Sequence, residues 1–333
     1  MKIDPSTQNF IWFQGVVEDV FDPLRLGRCR VRIIGYHEPD KVILPTDQLP
    51  WSHPIQPITS AAVSGVGTTP TGLVPGSHVV GFFRDSETQQ HPVIFGSIGG
   101  IPTTKEPEKG FNDPSGTYPL DTHLNEPDTN RLARNESLEN SIVQQKIDTV
   151  EQNVPTALGQ EWNEPATPYS AEYPKNHVKQ TESGHVQEFD DTPEAERIHT
   201  YHKSGTFDEV HPDGTKVERI IGNNYSIQKK DSNVFVRGEA NLTTEGNTRL
   251  LVNKSLALEV NDGNIEIKVT KGDINISVEN GNVKQRVNGD VKQHISGNVE
   301  EIVNGSKITR ANGNYIIDAS GSLILRGSPI LLN

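Results

Sequence analysis

The chain has 333 residues, of which only 32% are hydrophobic and 6% aromatic. That is a thin supply for a compact globule, which draws on roughly 45–50% apolar residues with glycine counted. The net charge of −13, from 31 basic and 44 acidic residues with no basic cluster, excludes nucleic acid as an expected partner, because phosphate binding needs positive surface.

A single cysteine, Cys29, rules out an intrachain disulfide, and no Cys/His array has zinc-finger spacing. Met1 to Phe13 lacks a charged segment followed by an apolar one, and no stretch approaches the roughly 18 apolar residues of a membrane span. The expectation is a soluble chain made in a cytoplasm.

From Phe10 to Ile98 the chain reads as short strands: FQGVVEDV, CRVRIIGY, SHVVGFF and HPVIFGSI, with DPLRLGR as a turn. Val31 and Ile33 alternate with Arg30 and Arg32, the period of a half-buried strand. About five strands, with Gly15, Gly35, Gly81 and Gly96 at bends, predict an OB-type Greek-key barrel over residues 1–100; an SH3-like barrel remains open. Arg25, Arg28, Arg30 and Arg32 bring charge to it, but Phe21 and Tyr36 are too few platforms for oligonucleotide stacking. Cys29 is read as a small buried residue with no base beside it.

Residues 101–176 dissolve into Pro, Asn, Asp, Glu and Thr and are read as a linker. Within it, Leu138, Ile142, Val143, Ile147 and Val150 recur at near-helical intervals after Asp128 and Thr129, predicting a short helix between Thr129 and Val150. Too isolated to fold alone, it is expected to pack on neighbouring chains. Two carboxylate pairs, Glu126 with Asp128 and Glu161 with Glu164, have the residue types of glycosidase chemistry but lie in proline-rich sequence, and are read as solvated charges.

Residues 177–221 alternate between strand-like segments and the turns DDTP and PDG, predicting a β-meander. His199, His202 and His211 lie near Asp190 and Asp191. Histidines three apart on a strand point to opposite faces, so ordinary contacts are expected there and no metal.

The last segment, 222–333, is the most informative. Glycine returns every eighth residue at Gly281, Gly289, Gly297, Gly305, Gly313 and Gly321. Upstream the spacing loosens: Gly238, Gly246, a lysine at 254, then Gly263, Gly272 and Gly281 at nine-residue steps. Val283, Val287, Val291, Ile295, Val299 and Val303 share one parity and so one face of extended strands, while Lys284, Arg286, Lys292, His294 and Glu300 take the other. A helix is excluded, since each interior glycine costs about 1 kcal/mol and Asn-Gly favours turns.

One such chain buries too little to offset backbone ordering of about 1–2 kcal/mol per residue. Eight residues also cannot turn a full solenoid coil. Three identical chains close the face as a triangular prism, with the Val/Ile stripe as its core, the glycines at its corners and the strand edges paired between chains. The fold class expected is all-β: an OB-fold barrel, a linker, and a C-terminal intertwined triple-stranded β-helix.

The order FQGVVEDVFDPLRLGRCRVRI, VPGSHVVGFF and HPVIFGSI, then SGHVQEFDDTPEAERIHTYHKSGTFDEVHPDGT, then glycine octads, resembles the baseplate central spike of contractile-tailed phages and is similar to the spikes of type VI secretion. The resemblance implies a homotrimer in the virion tail baseplate, or in a phage-derived injection particle, with the barrel as a collar against a hub protein and the tail tube. It implies a PAAR-type tip protein on the end SLILRGSPILLN, transient contact with a target-cell outer membrane, and mechanical puncture.

Some family members insert a lysozyme domain after the barrel. The interval Ile101 to Asn176 is short for a domain, so no catalytic residue is carried over and no enzyme activity, cofactor or metal is expected. Other spikes of this class end in a histidine-rich metal apex, whereas the last histidine here is His294. A trimeric tail fibre or adhesin is the alternative, disfavoured because the repeat continues almost to Asn333.

Overall fold

The computed structural model describes residues 11–85, 87–99, 129–136 and 141–330. The chain divides into two units, Met1–Arg249 and Leu250–Asn333. The first holds a closed barrel and a separate five-stranded sheet.

Strands β1 (Ile11–Asp19), β2 (Cys29–Ile33), β3 (Trp51–Pro54), β4 (His78–Phe83) and β5 (Pro92–Ser97) close in the order β1-β2-β3-β5-β4. β4 pairs back onto β1, and the β3–β5 pair is parallel. This is the OB-type Greek-key barrel. Alternation along β1 and β4 drives its core of Phe13, Val17, Cys29, Val31, Ile33, Val79, Phe83 and Ile94. At Gly81 the walls meet so closely that a Cβ would lie 2.6 Å from Phe13 Cζ and run into the Val93 carbonyl. Burial pushes the Cys29 thiol up to about 11, so it stays protonated at neutral pH.

The β2 pattern departs from the expected half-buried strand at one place. Arg32, expected to face water opposite Val31 and Ile33, is fully buried. The connection from β2 to β3 folds over it, so that its guanidinium meets Glu18 Oε1 at 2.6 Å and the Leu44 carbonyl at 2.9 Å. Burial alone would raise the Glu18 carboxyl; hydrogen bonds from Arg32 and Thr46 outweigh it and hold the group below the usual range.

The predicted helix contracts to α1 (Ile142–Asp148), with Ser141 Oγ accepting from the Gln144 amide at 3.2 Å. Before it, Arg131–Arg134 form a 3-10 turn capped by Asn130; Leu138 lies outside the described residues. The helix packs within its own chain, where Ile142 and Val143 lie against a core of Leu132, Val186, Tyr201, Phe207 and Val217. A two-stranded ladder, β6 (Val154–Pro155) with β7 (Glu161–Trp162), follows.

That core belongs to a sequential antiparallel meander: β8 (Asn176–Gln180), β9 (Val186–Asp190), β10 (Arg197–Tyr201), β11 (Phe207–Val210) and β12 (Lys216–Arg219). Part of the segment read as linker, including Leu132 and Tyr169, therefore covers the sheet's inner face.

From 221 to 329 the backbone alternates straight runs with bends. Two-residue bends fall at 288–289, 296–297, 304–305, 312–313 and 320–321, and three-residue bends at 261–263, 270–272 and 279–281. Every straight run is six residues long, as in 264–269, 282–287 and 290–295. The ninth residue of the longer repeats is thus absorbed in the corner, where Gly263, Gly272 and Gly281 take φ of +115°, +113° and +154°, a region that disfavours side chains. The parity of the runs is unchanged.

Gly81→Ala is expected to destabilise the barrel by about 1–3 kcal/mol through overpacking. Gly96→Ala, with nothing within 4 Å of the added carbon, should stay within about 0.5 kcal/mol. Urea melts of the two variants make the comparison.

Candidate assembly site

Alternation along the meander sends an unusual set of residues inward. Glu188 on β9 pairs in register with His199 on β10, and His199 with Glu209 on β11. All three are 0–1% exposed. Arg197 bridges the two carboxylates, with Nη2 2.7 Å from Glu188 Oε1 and Nη1 2.9 Å from Glu209 Oε1. Lys146 reaches in from α1, its Nζ 2.6 Å from Glu209 Oε1. Asn176 Nδ2 donates to Glu188 (2.9 Å) and Thr167 Oγ1 to Glu209 (3.0 Å). Two carboxylates thus face two fixed cations, and each cation also lies over a ring: Arg197 4.9 Å from Tyr169, Lys146 4.2 Å from Phe207.

His199 completes the row. Its Nδ1 lies 2.6 Å from Glu188 Oε2, so Nδ1–H donates to the carboxylate and Nε2 keeps its lone pair, buried without a partner. Burial lowers the His199 pKa and keeps the ring neutral. Burial would raise the Glu209 carboxyl too, but Lys146 and Arg197 together hold it down at about 2. A neutral histidine between carboxylates has the parts of an acid–base site, yet no substrate atom can reach a row sealed from solvent. The arrangement ties β9, β10, β11 and α1 together.

The histidines and aspartates weighed as metal ligands are dispersed. His199 is inside, and His202 lies outside with its ring 4.5 Å from His185. His211 Nε2 is 3.1 Å from Glu209, and Asp191 is 3.6 Å from His177. Among the described residues no group of three such ligands converges. Glu164 binds the Glu151 amide at 3.0 Å and Arg219, Glu161 sits on β7, and Glu126 and Asp128 lie outside the described residues.

Three of the four barrel arginines are committed to their own loops. Arg28 pairs with Asp22 at 2.7 Å, Arg30 donates to the carbonyls of Thr46 (3.1 Å) and Leu49 (3.0 Å), and Arg32 is held by Glu18. Arg28 and Arg30 also lie over Trp51. On the barrel's outer wall, Trp12 packs edge-on to Phe82 and Phe95 at 5.5 and 6.0 Å, an aromatic cluster that alternation places outward.

In the octads nothing is covered: every described residue from 222 to 330 is exposed. Val283, Val287, Val291, Ile295, Val299 and Val303 stand 46–75% exposed, each on the same parity of a six-residue run, and Gly289, Gly297, Gly305, Gly313 and Gly321 each close a bend. A continuous apolar face of this kind marks an interaction surface. The buried network escaped the sequence reading; its only signal was that Glu188, Arg197, His199 and Glu209 share the parity of Val186, Tyr201 and Phe207.

Comparison with known proteins adds a family. The family described as the Gp5 N-terminal OB domain matches residues 36–193. Protein Gp5 of Vibrio phage KVP40 is 42% identical over 284 residues, covering 75% of this chain and 67% of the relative. The pre-baseplate central spike protein Gp5 of Enterobacteria phage T4 is 48% identical over 119 residues, covering 34% of this chain and 20% of that protein.

Arg197→Ala leaves Glu188 without an opposing charge, Glu209 keeping Lys146, and the meander is expected to lose about 3–5 kcal/mol, measurable by calorimetry. Acid should act in two stages. His199 takes a proton more readily unfolded than folded, so stability falls as pH drops below its ordinary value of 6.5. Glu209 adds a second loss as pH falls from 4.5 towards about 2. Melting temperature against pH should fall less through the first stage in His199→Gln than in the wild type, with His37 and His53, also lowered by burial, supplying the remainder.

Proposed function

This chain belongs to the Gp5 family of phage baseplate central spike proteins, and from that membership we infer that its octad segment winds with two further copies into a triple-stranded β-helix that punctures the target cell envelope. It is a structural component of the virion tail baseplate. We take its parts to be a collar (1–100), a connecting segment (101–176) that helps cover the meander, the meander (177–221) and the spike (222–333).

The observation that carries this reading is the constant six-residue run. Corners absorb each change in repeat length, so the second and sixth residues of a run keep the same parity, and from 256 to 303 every one of them is Leu, Ile or Val. The stripe they form has no cover from its own chain. Three chains about one axis would bury it and pair every strand edge but those at the two ends. Mechanical force along such a prism is the expected mechanism, driven by sheath contraction.

The barrel would pack as a collar against a hub protein and the tail tube, its outward aromatic cluster of Trp12, Phe82 and Phe95 being suited to burial in a protein contact. A PAAR-type tip protein would close the C-terminal end, and contact with the outer membrane would be transient. The chain is proposed to be structural and not an enzyme, which the spike name of the T4 relative supports; the alignment spans a fifth of that protein, and nothing of the rest is carried over. No finding favours a receptor-binding fibre.

Light scattering on the purified chain is expected to give three times the 36.7 kDa chain mass; a folded monomer would sink the reading. Val291→Asp should place three unpaired charges in one layer, at several kcal/mol each. It is expected to abolish the trimer, and a variant that assembled and melted like the wild type would show that Val291 does not face inward.

A further inference from the structure

In the second unit the parity of the Val/Ile stripe carries more than aliphatic residues. Counting from each corner, the second, fourth and sixth residues of a run share a face. The runs between 255 and 278 fill all three places with leucine, isoleucine and valine. In the next three runs the fourth place is taken by Gln285, Gln293 and Glu301, and in the run after that the second place is Lys307.

Lys307 Nζ is bonded to Glu301 Oε2 across the corner at Gly305. Their side chains are 57% and 55% exposed, within the range of the stripe. The Lys292–Asp290 pair, on the opposite parity, stands at 88% and 84%. A charged pair therefore sits on the apolar face, between runs whose valines and isoleucines need cover.

We propose that Glu301 and Lys307 are interior residues of the assembled octad segment, where three copies of the pair form a neutral ring of six charges that fixes the register of the three chains. This rests on the three-chain winding proposed above. The occupant of the face is two further copies of the same chain, and the charges argue for that occupant because the pair is self-complementary. Three carboxylates alone between apolar walls would repel one another and take up protons. Each Lys307 supplies the opposite charge from the adjoining run.

Gln285 and Gln293 carry amides that both donate and accept, so each can satisfy its own copies in the layers before the ring. Sliding one chain by a repeat would carry its own Glu301–Lys307 pair out of the ring and set it among the glutamines or threonines of the other two chains. A buried polar group that specifies alignment at some expense of stability is the best-attested use of such groups.

The full-length chain is the material, with molar mass and thermal melting as the readouts. Lys307→Glu is expected to lose the trimer or melt well below the wild type, and the swap Glu301→Lys with Lys307→Glu to restore both. Glu301→Gln with Lys307→Met should keep the trimer but melt over a broader range, as chains settle in several registers. A K307E trimer melting with the wild type would put the pair in solvent and overturn the proposal. A swap no better than K307E would show that the two residues do not pair. A neutral double variant melting as sharply as the wild type would remove the register role. Wild-type mass is read first, because a wild-type monomer would overturn the three-chain winding itself and this proposal with it.

Discussion

The constraint on which the molecule depends is that a six-residue extended run cannot cover its own apolar side. A strand needs edge partners for its backbone and a second layer for its inward residues. The barrel and the meander find both within the chain. The octads find neither, and the contrast is visible in one molecule: Val79 and Phe83 are sealed by neighbouring strands, while Val283 and Val299 stand 75% and 70% exposed. Chemistry so similar with burial so different is what the proposed winding with two further copies would account for.

The meander solves a different problem with charge. Its inner face is small and carries Glu188, Glu209, Arg197 and His199 where a larger sheet would carry aliphatics. Desolvated charges of this kind stabilise little beyond what apolar residues of the same volume would, but removing one member strands the rest. The consequence is a sheet whose strands and helix are tied to one arrangement more than they are made strong.

The barrel and the bends of the octads were legible because their signals are periodic. Val31, Ile33, Val79 and Phe83 alternate, and glycine recurs at a fixed step. Two kinds of feature were not legible. Arg32 and the Glu188–His199–Glu209 row break the equation of charge with solvent, and only a fold that brings Glu18, Arg197 and Lys146 alongside makes their burial tolerable. The segment holding Leu132, Ile142 and Tyr169 reads as linker because its apolar residues are sparse; they become core by covering a sheet that lies up to 85 residues further along, at Val217. Even in the octads the spacing alone did not reveal where the extra residue of a nine-residue repeat goes, since that depends on a glycine accepting a left-handed backbone.

That last detail bears on how such a chain tolerates change over generations. The alternation of a run behaves like a reading frame: losing one residue inside it turns every later side chain of that run to the wrong side, whereas gaining or losing one at a corner leaves the frame intact. Corners bearing a glycine with positive φ are therefore the places where one residue more or less leaves that alternation unchanged. The eight- and nine-residue repeats differ in just that way, and a whole repeat added or removed would leave the alternation of the others unchanged.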